Sequence, residues 1–154
     1  MMTCHRRMFT FDHWANLVSL HAVMPAADRV PQSVTWLNHI VGAKRIWLAR
    51  VTGTAMPFGV NPAFGVDEWH AQFEAAQLGW EDFFETQTNV DVTRMIHYTN
   101  LKGDPFGSQL GDILSHLPLH GQQHRGQINA DLRAAGVTPP SIDFIHAART
   151  GAIG

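Results

Sequence analysis

An all-α fold, a four-helix bundle with a short hairpin before the fourth helix, is predicted by three features of this 154-residue chain. Four long stretches repeat apolar residues at helical spacing. Glycine and proline punctuate the joints between them. The links are mostly short, as a bundle requires. Composition supports a packed interior: 45% of residues are hydrophobic and 16% charged, with nine Phe and five Trp. Such a chain fits one domain, residues 1–154.

The first helix is expected from about Phe9 to Met24, with Phe11, Trp14, Val18 and Ala22 on one stripe. The start before it, with Cys4, is expected to fray. Pro25 and Pro31 bracket the link to a second helix over about Gln32 to Thr52. There Val34, Leu37, Val41, Leu48 and Val51 form one stripe and Trp36, Ile40, Ala43 and Trp47 another, so this helix packs on more than one side. The segment TGTAMPFGVNPAFG is too rich in Gly and Pro for regular structure. Loops of this length are lids or binding loops in some folds and covers for a bundle end in others. The third helix, about Asp67 to Thr86, carries a seam of Trp69, Phe73, Ala76, Trp80 and Phe83. MIHYT and NLKGDPFG, within Thr93 to Ser108, read as a β-prone run and a turn. The fourth helix follows over about Gln109 to Ala135, with Gly136 placed as its C′ glycine and Pro139-Pro140 preventing continuation. The tail is expected to pack through Ile142, Phe144 and Ile145 and then fray.

Several functions are excluded by what the chain lacks. A net charge of −2 gives no electrostatic footprint for nucleic acid. The single cysteine, Cys4, permits neither an intramolecular disulfide nor a cysteine-based zinc site. No apolar run approaches a membrane span and the first residues form no signal-peptide core, so a cytoplasmic location without a membrane partner is expected. H-E-x-x-H, G-x-S-x-G and glycine-rich phosphate loops are missing. Glu74, Glu81, Asp82 and Glu85 lie off the third helix's seam and read as a solvated face.

Histidine is the unusual residue: ten, against eleven Lys and Arg combined. In the fourth helix the stripe Ile113, Leu117, Ile128, Leu132 and Ala135 is interrupted by His120 and His124. Four residues advance a helix by about 400° and 6 Å, so the two imidazoles stand one above the other, within reach of one metal ion. Gly121 leaves room beside them for a ligand or a close neighbour. On spacing alone, a surface pair or a hydrogen-bonded core pair is the commoner meaning. His116 makes an overlapping pair with His120, and Pro118 is expected to kink the helix nearby. A metal site also needs a ligand from another helix, and His39, amid Trp36, Gly42, Ala43 and Ile46, is the best placed. A satisfied core histidine is the competing reading there. His5, His13, His21, His70, His97 and His146 have no such pairing, although His21 could approach the core. Asp12, Asn16, Arg125 and Gln127 are readable either as partners for the ligands' other ring nitrogens and for substrate, or as helix-packing residues.

HGQQHRGQINADLRAAGVTPPSIDFI resembles the C-terminal signature of the DinB/YfiT-like family of metal-dependent enzymes: H-x-x-x-H, then RGQ, LR, a glycine and a double proline. FDHWANLVSL resembles the family's first helix, with Trp14, Ala15 and Asn16 at its centre. LNHIVGAKRIWLARVTG resembles its second helix, and IHYTNLKGDPF the segment before helix four. Gln123, where a second His or an aromatic is frequent, and Pro118 depart from the pattern. The resemblance covers nearly the whole chain in order. It implies a homodimeric four-helix bundle with a divalent metal on His39, His120 and His124. Three imidazoles without thiolate suit zinc or nickel and leave open positions, as catalytic metals need. The wider superfamily includes bacillithiol transferases and mycothiol-dependent maleylpyruvate isomerase. A thiol-dependent S-transferase or isomerase acting on a small-molecule substrate is therefore the leading expectation, the sulfur arriving with a low-molecular-weight thiol. A metal-dependent hydrolase, or a non-catalytic metal-binding bundle protein, is the alternative. Catalytic and cofactor-binding residues beyond the metal ligands are not assigned.

Overall fold

The computed structural model describes residues 2–59, 61–87, 91–100 and 102–154. Val60 of the Gly/Pro-rich segment and Leu101 of the hairpin turn lie outside them. Four long helices form the body: α1 (Met2–Val23), α2 (Pro31–Thr52), α3 (Trp69–Thr86) and α4 (Leu110–Ala134). A 3-10 segment, Met24–Arg29, joins α1 to α2. Before α4 a hairpin pairs β1 (Met95–Thr99) antiparallel with β2 (Pro105–Gln109), and a short α5 (Phe144–Arg149) follows it. The all-α bundle predicted from periodicity is the observed one. Helices α1 and α2 each contact both α3 and α4, and they also touch each other.

Local chemistry explains the boundaries. Pro31 opens α2, where a missing N–H costs nothing, and Gly53 closes it at φ +70°. At the end of α4, Val137 N–H bonds to Leu132 O and Gly136 N–H to Arg133 O. This is a Schellman closure with Gly136 at φ +73°, as its sequence position predicts. Pro118 lies inside α4, yet the helix continues unbroken through it. In the hairpin turn Asn100 Oδ1 accepts from the amides of Lys102 and Asp104 at 2.8 and 2.9 Å.

The interior is layered along the bundle axis. One apolar end gathers Leu20, Val23, Leu37, Val41, Trp69, Phe73, Ile128 and Leu132. The other gathers Phe9, Val51, Trp80, Phe84, Ile96, Leu110, Ile113 and Leu117. Between them α1, α2 and α4 contribute Asp12, Asn16, Lys44 and Arg125, all buried. The expected α3 seam is wholly buried.

Three expectations are corrected. The chain does not fray at its start, since α1 begins at Met2 and not near Phe9. The α1 stripe of Phe11, Trp14 and Val18 does not face the bundle; it packs against the C-terminal segment through Ile142, Ala147 and Ile153. Asp12, Asn16 and Ser19 take the inward face instead. The tail accordingly stays packed to Ile153, which is buried, whereas Ile145 is exposed.

Candidate metal centre

The helix stripe of α4 runs one residue away from where the histidines stand. Its buried positions are Ile113, Leu117, Gly121, Arg125, Ile128 and Leu132. His120 and His124 border that stripe and are half-buried, as is His39 on α2. The imidazoles therefore do not occupy the core itself. They sit at its rim, where a small molecule can reach them.

The structure brings these three together. One ring nitrogen from each of His39, His120 and His124 lies within 4.8 Å of the others. His39 Nε2 and His120 Nε2 are 3.0 Å apart, and the three ring centroids are separated by 4.6–4.9 Å. Nitrogens at about 2.0–2.1 Å from a common ion fall within such a spacing, so the cluster could hold a metal. His124 Nδ1 lies 2.7 Å from Gln127 Oε1. An amide oxygen only accepts, so Nδ1 carries the proton and Nε2 is left with its lone pair for coordination. Gln127 is thus the one partner, among the four polar residues singled out from sequence, that touches a cluster imidazole. On the other side Asn61, from the Gly/Pro-rich loop, comes near the His39 ring and partly offsets the lowering of its pKa.

Electrostatics favour neutral, ligating imidazoles. Burial lowers the His120 pKa, neighbouring His124, His39 and His116 lower it further, and it settles at about 4 despite the opposing pull of Asp12. His39 is lowered chiefly by burial and then by His124. Protons therefore compete less well for the lone pairs of His39 and His120.

Asp12, Asn16 and Arg125 form a different device, joined by Lys44, which sequence reasoning missed. Lys44 Nζ donates to Asp12 Oδ2 at 2.7 Å, and Arg125 Nη1 donates to Asp12 Oδ1 and to Asn16 Oδ1, both at 2.6 Å. Asn16 Nδ2 completes the set with a bond to Asp12 Oδ2 at 3.2 Å. Burial alone would raise the Asp12 carboxyl, but the charges of Lys44 and Arg125 outweigh it and hold the pKa below the ordinary range. Gly121 makes room for this network, not for a ligand. A Cβ there would lie 2.4 Å from Asp12 Oδ1 and 2.7 Å from Arg125 Nη1. Because Gly121 and Arg125 each adjoin a histidine of α4, the network fixes the backbone that carries His120 and His124.

The remaining histidines stay apart from the cluster. His13 pairs with Glu74 at 3.2 Å, and His5 Nε2 lies 3.4 Å from Ser115 Oγ. His21 is exposed and does not reach the core. His116 stacks near His120, centroids 5.3 Å apart, but is not in the ligating group. The Gly/Pro-rich loop is a cover with a finger in the site: Phe64 and Val66 pack on the core, Arg45 lies 5.0 Å over Phe58, and Asn61 reaches His39.

The DinB family model matches residues 9–151, the span that contains all three histidines and the helices presenting them. The chain belongs to the DinB family. No curated protein and no solved structure matches it. For this DinB-family chain, the family match and the three-histidine cluster together fit a metal-binding protein. Among the described residues no helix is long and apolar enough to cross a membrane.

Proposed function

We propose that this protein is a metal-dependent enzyme in which His39, His120 and His124 hold a divalent ion, zinc or nickel, and that it transfers or isomerises a small-molecule substrate with the help of a low-molecular-weight thiol. The observation that carries this reading is the convergence of three half-buried imidazoles from two helices on one point at the rim of the core. Three protein ligands leave positions for exogenous groups, the arrangement of a reactive and not a closed structural metal. When bound, such an ion supplies Lewis acidity that lowers the pKa of a thiol or water it meets. The chain's own residues orient the ligands, through Gln127 and Asn61, and exclude water from below through the apolar layers. Cys4, exposed on α1 far from the histidines in sequence, supports a sulfur that arrives from outside the chain. A cytoplasmic homodimer completes the proposal.

The test is metal analysis of untagged protein. One equivalent of ion is expected in the wild type, and its loss in His39→Ala and His120→Ala. Protein that binds no metal refutes the proposal. A conjugation screen with several biological thiols then separates transferase from hydrolase. Metal whose removal lowers only thermal stability, with no activity found, marks a structural bundle instead.

A further inference from the structure

One turn of α4 before the cluster, an open cleft of about 210 Å³ is lined by Trp47, Tyr98, Ser108, Asp112, Ile113 and His116. Its walls are held in place. Tyr98 packs edge-on against Trp47 with centroids 4.9 Å apart, and its hydroxyl lies 3.1 Å from Ser108 Oγ. The Arg50 guanidinium lies 4.6 Å over Trp47 and 4.5 Å over Tyr98 and reaches Thr99 O, so it is already engaged and does not line the cleft. Asp112 is different. It is exposed, it lines the cleft, and among the described residues its carboxylate has no hydrogen bond or ion pair. The unmatched charge facing this space is therefore negative, beside an indole, a phenol and the apolar side chain of Ile113.

We infer that this cleft binds the ammonium-bearing end of an elongated small molecule, with Asp112 taking the cation and Trp47 and Ile113 the apolar body, and delivers its other end to the histidine cluster. The Trp47 and Tyr98 rings already carry Arg50, so the attraction for a cation, and the repulsion of an anion, comes from the Asp112 carboxylate. Position sets the length. Asp112 and His120 are eight residues apart on one helix, about 12 Å of rise. His116 stands between them on the same helix, with its centroid 5.3 Å from that of His120. The ligand class is thus an amine whose reacting group lies about two helical turns from its nitrogen. The second half of this inference rests on the function proposed above; the first half does not.

The test uses phenethylamine and hydrocinnamate, probes of matched shape and opposite charge, titrated into metal-free, 15N-labelled protein and followed by ligand-observed and protein-amide NMR. Phenethylamine is expected to bind in the millimolar range, and hydrocinnamate markedly more weakly. Asp112→Asn should weaken phenethylamine by about three- to fivefold with only a small drop in melting temperature, since Asp112 is exposed and supports the fold only through the first turn of α4. Amide shifts on binding should centre on Ser108, Ile113 and His116. Equal affinity for the two probes, unchanged binding in Asp112→Asn, or shifts elsewhere would overturn the inference. Because no metal is present in this experiment, its failure is separate from a failure of the metal reading, which rests on ion content alone.

Discussion

Replacing Gly121 by Ala tests whether the charged layer inside the bundle sets the position of α4. A helix normally gains about 1 kcal/mol when an interior Gly becomes Ala, because Ala loses less backbone entropy. At Gly121 the new methyl would stand 2.4 Å from Asp12 Oδ1 and 2.7 Å from Arg125 Nη1. Neither atom can retreat at little cost: Asp12 is a short side chain, buried and tied to Lys44, Arg125 and Asn16. Overpacking of this kind costs about 1–3 kcal/mol, and separating one partner of a buried pair costs about 3–5 kcal/mol. With the helix gain subtracted, a net loss of about 2–4 kcal/mol is expected. Gly126, five residues on in the same helix and exposed, supplies the control, since nothing lies within 4 Å of a Cβ there. Gly126→Ala should stabilise by about 0.5–1 kcal/mol. In a chain of this size 1 kcal/mol moves the midpoint by about 2–4 °C, so the two variants should melt on opposite sides of the wild type. Calorimetry and urea titration read the difference. A Gly121→Ala protein as stable as Gly126→Ala would refute the reasoning.

Two further expectations follow from the cluster. Gln127→Ala removes the acceptor at His124 Nδ1, and zinc affinity measured by chelator competition should fall by about 10- to 100-fold with the fold intact. Stability of the metal-free protein should decline as pH falls from about 6.5 to about 4: unfolded His120 takes its proton near 6.5, the folded one only near 4, so the unfolded chain binds more protons throughout that window. Urea midpoints that stay level across it would contradict the assigned environment of His120.

Periodicity revealed the helices because each buries a continuous apolar face, and Gly136 marked the end of α4 through its positive φ. Spacing also found His120 and His124, and the resemblance added weight to His39. What the sequence hid was the face on which each residue lies. The α1 stripe of Phe11, Trp14 and Val18 looks like a bundle seam, yet the true inward face is polar at Asp12, Asn16 and Ser19. Lys44 passed unnoticed because lysine is rarely buried without a partner, and its partner Asp12 is 32 residues away. Gly121 was the available clue. A glycine four residues before an arginine on a core stripe leaves space for a side chain folding back along the helix. The histidines sit one position shallower than the apolar spacing suggests, because Gly121 and Arg125 are the interior members of that stripe.

The clasp between α1 and the C-terminal segment bears on how the molecule folds. Phe11 and Ala15 meet Ile142, Ala147 and Ile153, and Arg7 reaches the carbonyl of Gly154, 147 residues away. Contacts between such distant points of a chain carry a large loop-closure entropy and form after local ones. The outer side of α1, with Phe11 and Trp14, is therefore sealed by residues from the opposite end of the chain, and loss of that segment would leave both rings bare.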